Sequence, residues 1–176
     1  MTVSTQQIGV INWRRFWGNE VAAAPLDTHG FMVDPGPHSL SRNFHSLDQL
    51  RAASCLILLG DGGLGKTSAI KAEVRDSGAT RIDLGTFGSE PDLRKRIAAE
   101  LAEHRSPDAR AALFLDAFDE GRNLIPHIGG LLADCISQHP RTDTRLRIAS
   151  RGSRWSTELE ADLRHRFGDG LQILRL

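Results

Sequence analysis

A glycine-rich segment that ends in lysine and threonine is the clearest sign of chemistry in this sequence. Residues 60–67 satisfy the pattern G-x-x-x-x-G-K-[ST], which average residue usage produces by accident in roughly 1% of chains of such length. Its glycines let the backbone wrap closely, so that successive N–H groups point inward at phosphate oxygens. We therefore predict a phosphate-binding loop, the P-loop, made of Gly60, Asp61, Gly62, Gly63, Leu64, Gly65, Lys66 and Thr67 and followed by Ser68.

Three side chains at the end of the P-loop have separate expected roles. Lys66 reaches the β- and γ-phosphates as a point charge, Thr67 gives its hydroxyl to Mg²⁺, and Ser68 contacts the α-phosphate. The predicted ligands are ATP or ADP with Mg²⁺, although nothing in the sequence identifies the base. The motif needs a strand before it and a helix after it, and the residues supply both: an apolar run over 55–59 and a helical pattern over 66–76.

A second candidate group follows an apolar run at residues 111–115. Asp116 ends this predicted strand, where ligands of parallel α/β sheets bind, and we expect it to hold Mg²⁺ together with Thr67. Asp119 or Glu120 would orient or deprotonate the attacking water. The alternative is that both acids only cap a helix beginning near Asn123. The P-loop upstream favours the catalytic interpretation, because a nucleotide site needs a metal carboxylate on a neighbouring strand.

An arginine follows another predicted strand, at residues 146–149. Arg151 would lie at the same sheet edge as the P-loop, where its guanidinium would bond the γ-phosphate and lose that contact after hydrolysis. Arg154 is a weaker candidate for the same role. The alternative is a solvated or structural arginine.

The remaining elements alternate between apolar strands and amphipathic helices from residue 47 onward, which indicates an α/β fold around a parallel sheet. Residues 46–176 are predicted to form this domain, and residues 1–45, broken by proline and glycine, an N-terminal arm with a short helix. The other predicted strands cover 80–84 and 171–176, and the other predicted helices cover 89–104, 124–138 and 155–167.

Composition excludes several classes of protein. The 176 residues carry 22 basic and 22 acidic side chains, so no overall field attracts nucleic acid or an anionic membrane. No apolar run approaches the roughly 20 residues of a membrane span, and no secretory signal is visible, so we expect a soluble cytoplasmic protein. Cys55 and Cys135 are expected to be buried thiols, and no histidine or cysteine spacing indicates zinc. The chain stops on an apolar strand, which we interpret as the end of a fragment.

The three motifs together resemble the NACHT-type members of the STAND class of P-loop NTPases, over about residues 47–176. The resemblance implies a three-layer P-loop NTPase core of about five strands in the order 5-1-4-3-2. It implies that Asp116 serves Mg²⁺, that Asp119 with Glu120 supports hydrolysis, and that Arg151 is the sensor arginine. One departure is Gly152, where the family often has proline.

What the resemblance implies is a regulatory ATPase that is closed with ADP and open with ATP. It would self-associate through a longer protein whose sensor and effector domains lie outside these residues, as in bacterial antiviral defence. An AAA+ type motor or loader and a small-molecule or nucleotide kinase remain alternatives. RNA binding is less favoured than docking of the same aromatic segment on the core, and would use Trp13, Arg14, Arg15, Phe16 and Trp17.

Overall fold

The computed structural model describes residues 17–18, 28, 44–45, 47–77, 79–103, 112–139 and 144–175. Its strands are β1 (Trp17–Gly18), β2 (Phe44–His45), β3 (Cys55–Leu59), β4 (Arg81–Asp83), β5 (Ala112–Asp116), β6 (Arg145–Ser150) and β7 (Leu171–Arg175). Its α-helices are α1 (Leu47–Leu50), α2 (Lys66–Ser77), α3 (Glu90–Glu103), α4 (Phe118–Leu124), α5 (Ile128–Ser137) and α6 (Thr157–Phe167). None of these helices combines the length and apolar character that a membrane crossing needs.

All seven strands belong to one sheet, in the order β2-β1-β7-β3-β6-β5-β4. The five strands from β3 to β7 are parallel and, counted along the chain, lie in the order 5-1-4-3-2. The expected count of about five strands is too low, because the described sheet has seven strands. The two additional strands, β1 and β2, form an antiparallel pair at one edge. Each of these two strands has only two residues, too few for an alternating pattern to appear in the sequence.

Helices cover both faces of the sheet, as expected for three layers. Along β3, the side chains of Cys55, Ile57 and Leu59 pack with apolar residues of α3, α5 and α6. Leu56 and Leu58 point to the opposite face and pack with residues of α2. Every side chain of β3 is buried, so the strand carries the P-loop on a rigid support.

The N-terminal arm contributes to the core through Trp17. This side chain is fully buried in the same cluster as Leu50, Leu56 and Leu58. It cannot stack on a base, which removes one of the aromatic residues of the RNA-binding alternative. The other four residues of that group, 13–16, lie outside the described residues, and so does the predicted short helix. Trp17, which follows them, belongs to the strand β1 (Trp17–Gly18).

Two sequence expectations between β5 and β6 are wrong. The helix predicted over 124–138 forms only from Ile128 to Ser137, as α5, and a separate helix, α4, ends at Leu124. Pro126 lacks an N–H donor and disfavours helical geometry at Ile125 before it, so the helix cannot continue through these residues. The helix expected to begin near Asn123 begins at Phe118 instead. Asp119 and Glu120 thus lie in its first turn rather than ahead of it. Neither cysteine forms a disulfide; Cys55 is buried as expected, whereas Cys135 is only half-buried.

Candidate nucleotide-binding site

The P-loop connects β3 to α2 at the carboxyl edge of the parallel sheet. Gly63 and Gly65 have φ angles of 83° and 88°, a left-handed geometry that side chains rarely adopt. Lys66 Nζ donates hydrogen bonds to the carbonyl oxygens of Gly60 at 2.6 Å and Asp61 at 2.7 Å. The ammonium group therefore lies across the mouth of the loop, with the N-terminus of α2 behind it.

The charged groups around Lys66 include the other side chains that were predicted for the site. Burial lowers the pKa of Lys66, and Asp119 opposes that shift more than any other charge. Arg151 lowers the pKa further, whereas Asp116 raises it. The charges of Asp116, Asp119 and Arg151 thus all act on Lys66 at the P-loop.

Asp116 lies at the end of β5 with only 3% of its side chain exposed. Its Oδ1 accepts hydrogen bonds from Thr67 Oγ1 at 3.3 Å and from the backbone N–H of Ala117 at 2.9 Å. Its Oδ2 accepts one from Arg81 Nη1 at 2.6 Å. Thr67 and Asp116, the two residues expected to hold Mg²⁺, thus lie within hydrogen-bond distance of each other, and Arg81 is a partner of Asp116 that the sequence interpretation missed. The Arg-Ile-Asp alternation of β4 puts Arg81 and Asp83 on one face, but it does not show that β5 lies beside this strand.

A strained turn joins Asp116 to α4. Ala117 has φ 57° and ψ 44°, a left-handed conformation that costs a non-glycine residue roughly 1–2 kcal/mol. The turn brings α4 so close to the 3-10 helix Leu84–Thr86 that a Cβ atom at Gly121 would stand 2.9 Å from Leu84 Cβ. Strain of this kind is frequent at functional sites, and here it directs the first turn of α4 toward the P-loop side of the sheet.

Arg151 and Asp119 form an ion pair beside the P-loop. Arg151 Nε lies 3.0 Å from Asp119 Oδ2, and the backbone N–H of Arg151 donates to Asp119 Oδ1 at 3.1 Å. The guanidinium also approaches the loop, because Arg151 Nη2 would lie 3.9 Å from a Cβ atom placed on Gly62. Asp119 is buried, whereas 53% of the Arg151 side chain is exposed, so the arginine is the member of the pair that a ligand can reach.

Glu120 points elsewhere. It is exposed, and its Oε2 would lie 3.0 Å from a Cβ atom placed on Gly85, in the turn that follows β4. The structure therefore separates the two acids that were expected to act together: Asp119 faces Arg151, whereas Glu120 faces the end of β4.

An aromatic contact links α4, the helix that carries Asp119, to the residues that follow Arg151. The rings of Phe118 and Trp155 lie 5.2 Å apart between centroids at an interplanar angle of 56°. Trp155 Nε1 donates to Glu160 Oε2 at 2.9 Å, which fixes the indole on α6. Phe118 of α4 is therefore packed against the segment that follows Arg151.

A buried ion pair lies beneath the site and ties α2 to β6. Arg147 Nε donates to Glu73 Oε2 at 2.9 Å, and the Arg147 side chain is completely buried. Its Nη1 donates to the carbonyl oxygens of Ala53 at 2.9 Å and Leu146 at 3.1 Å. Burial lowers the pKa of Arg147, and the nearby Glu73 carboxylate opposes that shift. This pair holds the P-loop helix at a defined distance from the strand that carries Arg151.

The donor set at Thr67 and Asp116 fits Mg²⁺. A hydroxyl oxygen and a nearly buried carboxylate lie 3.3 Å apart, and hard oxygen donors are what Mg²⁺ prefers. Within the described ranges, no group of three or more His, Cys, Asp or Glu side chains could hold a metal ion by itself. Phosphate oxygens and water would therefore complete the coordination, as is usual for Mg²⁺ bound with a nucleotide.

A P-loop between β3 and α2, with an acidic residue at the end of β5, defines a P-loop NTPase-like α/β fold. No protein-family model and no curated protein matches the sequence. A crystal structure of a gluconokinase from Sinorhizobium meliloti 1021 is similar at 19% identity, with a TM-score of 0.31. The similarity covers 70% of this chain and 57% of that one, so this chain spans little more than half of the gluconokinase. So loose a superposition supports no assignment of activity.

Proposed function

We propose that this chain binds ATP and ADP with Mg²⁺ at the P-loop and hydrolyses ATP slowly, as the regulatory module of a larger cytoplasmic signalling or antiviral-defence protein. The observation that carries the proposal is the Asp119–Arg151 ion pair, which lies at the P-loop within the field of Lys66. The strand order 5-1-4-3-2 of the parallel strands agrees with what the NACHT resemblance implies, but it does not distinguish this class from an AAA+ type motor. Self-association, with sensor and effector domains outside this chain, belongs to the same proposal.

The residues divide the work of binding. The N–H groups of the P-loop and Lys66 bind the phosphates, while Thr67 and Asp116 hold Mg²⁺. Bound Mg²⁺ neutralises phosphate charge and polarises the terminal phosphoryl group. Gly63 and Gly65 supply the left-handed backbone conformations that curve the loop.

The switch in this proposal is an exchange of partners at Arg151. The γ-phosphate competes with Asp119 for the guanidinium, because a phosphate carries more negative charge than a carboxylate and accepts bidentate bonds. Once released, Asp119 accepts a hydrogen bond from the attacking water and orients it toward the phosphorus. ADP lacks the γ-phosphate, so the ion pair re-forms after hydrolysis. Two nucleotide states therefore correspond to two arrangements of Arg151.

Isosteric substitutions of the two acids test this assignment. We expect Asp119→Asn to lower ATP turnover by at least about tenfold, because an amide accepts a proton poorly, general-base catalysis contributing roughly 10²–10⁴-fold. Glu120→Gln is the matched control and should stay within about twofold of wild type, since Glu120 faces Gly85 rather than the P-loop. The measurement is phosphate release at saturating ATP, and a result in which only Glu120→Gln loses turnover would reverse the roles.

A small-molecule or nucleotide kinase is the second candidate. The observation behind it is the position of Glu120, which faces the end of β4, so that of the two predicted acids only Asp119 lies beside the P-loop. With this arrangement of acids, the γ-phosphoryl group could be transferred to the hydroxyl group of an acceptor molecule as well as to water. Phosphate released in equal amount to ADP, without any added acceptor, supports the hydrolytic function, whereas ADP formation that depends on an acceptor supports the kinase.

A further inference from the structure

The carboxylate expected to hold Mg²⁺ already has a cationic partner from the next strand. Arg81 of β4 donates to Asp116 Oδ2 at 2.6 Å, and the same Nη1 lies 3.2 Å from Asp83 Oδ2. Asp116 Oδ1 is occupied by Thr67 and by the Ala117 N–H, so Oδ2 is the oxygen whose charge Arg81 neutralises. One guanidinium group therefore stands between two carboxylates, only one of which belongs to the P-loop side of the site.

We propose that Arg81 sets the Mg²⁺ requirement of this site by serving as the counter-ion of Asp116 in the metal-free state and moving to Asp83 when Mg²⁺ binds with the nucleotide. This inference rests on the proposed function, because it concerns the same metal site. It gives Arg81 a positioning role, since it acts through Asp116 and touches neither phosphate nor metal.

Charge balance is the physical reason for the exchange. A buried carboxylate is costly without a cation, and Asp116 is almost fully buried, so it needs a partner when no metal is bound. A dication placed between Thr67 and Asp116 repels the guanidinium, and this repulsion is strong at a poorly hydrated site. Binding of Mg²⁺ therefore has to displace or weaken the Arg81 contact, which raises the Mg²⁺ concentration that the site needs.

The geometry of β4 makes the move short. Asp83 Oδ2 is already in contact with Arg81, and Asp83 Oδ1 accepts a hydrogen bond from the Gly85 N–H at 3.2 Å, which fixes the second carboxylate. Among the strands that the structure describes, β4 lies at one edge of the sheet, and a quarter of the Arg81 side chain is exposed. The guanidinium therefore has only a short distance to move from Asp116 toward Asp83.

Two single substitutions should shift the Mg²⁺ requirement in opposite directions. The measurement is binding of a fluorescent ATP analogue at increasing Mg²⁺, which reports affinity without turnover. Arg81→Gln removes the competing charge and should lower the half-saturating Mg²⁺ concentration on the order of tenfold. Asp83→Asn retains the oxygen that bonds the Gly85 N–H but removes the alternative charge partner, so it should raise that concentration severalfold. Arg94→Gln, which removes the cation of the largely exposed Arg94–Asp134 pair between α3 and α5, is the control and should change nothing.

The outcomes separate this inference from the proposed function. If wild type shows no nucleotide binding at any Mg²⁺ concentration, the proposed function is wrong, and the role of Arg81 falls with it. If wild type binds but Arg81→Gln leaves the Mg²⁺ requirement unchanged or raises it, Arg81 only supports Asp116 structurally and the inference alone is wrong. Should Arg81→Gln fail to fold in a thermal melt, the rise expected for Asp83→Asn decides, and its absence overturns the inference.

Discussion

Replacing Lys66 with alanine is expected to weaken ATP binding by roughly 100-fold or more while the fold remains intact. The ammonium group makes charge-assisted bonds to phosphate oxygens, and these are about twice as strong as neutral hydrogen bonds. In this structure it bonds the carbonyl oxygens of Gly60 and Asp61, so it is held at the mouth of the P-loop. Alanine leaves the glycine geometry unchanged, and the loss is therefore one of affinity rather than of stability.

The matched control for that substitution is Lys71→Ala in the same helix. Lys71 is exposed and lies beyond the first turn of α2, so it shares the helix and the charge of Lys66 but not its place in the loop. Titration with a fluorescent ATP analogue should show a large loss for Lys66→Ala and at most a twofold change for Lys71→Ala, an exposed position away from the loop. Equal affinities of wild type and Lys66→Ala would contradict the placement of the phosphates.

Replacing Glu73 with alanine is expected to destabilise the protein by about 3–5 kcal/mol. The substitution leaves the Arg147 guanidinium completely buried and without its carboxylate, and only backbone carbonyl groups remain to accept its hydrogen bonds. An uncompensated buried cation is costly because the interior solvates charge poorly. Urea denaturation should show a lower midpoint at an unchanged m-value, which isolates the change in the free energy of unfolding.

A double substitution gives the control for the buried pair. Glu73→Leu combined with Arg147→Met removes both charges and keeps similar volumes, so its stability should lie well above that of Glu73→Ala. The pair would then be needed to align α2 with β6 rather than to add net stability. A loss below about 1 kcal/mol for Glu73→Ala would show that water reaches Arg147 and that the pair is not a rigid link.

The elements of the fold could be predicted wherever local patterns are strong. Three features were predictable because each depends on neighbouring residues only. They are the fully buried apolar run of β3, the glycines of the P-loop and the apolar end of β5. The two-residue strands β1 and β2 carry no such pattern, and Trp17 is buried through tertiary packing. The break between α4 and α5 had a visible signal in Pro126, yet the helical pattern on either side concealed it.

The site residues that could be predicted from the sequence are those that lie at or after the end of a strand. Lys66, Thr67, Asp116 and Arg151 all follow parallel strands, and their meeting at one sheet edge follows from that position alone. The pairing of Arg81 with Asp116 depends on which strand lies beside β5 and in which register, and the alternation within β4 does not reveal that. The separation of Asp119 from Glu120 depends on where α4 begins, which in turn depends on the left-handed turn at Ala117.

Calorimetric titration of the wild-type chain with ATP and with ADP, in the presence of Mg²⁺, tests the central claim most directly. We expect saturable binding of one nucleotide per chain, with unequal affinities for ATP and ADP because only ATP offers a γ-phosphate to Arg151. The absence of saturable heat up to about 1 mM ATP, an affinity weaker than about −4 kcal/mol, would contradict it.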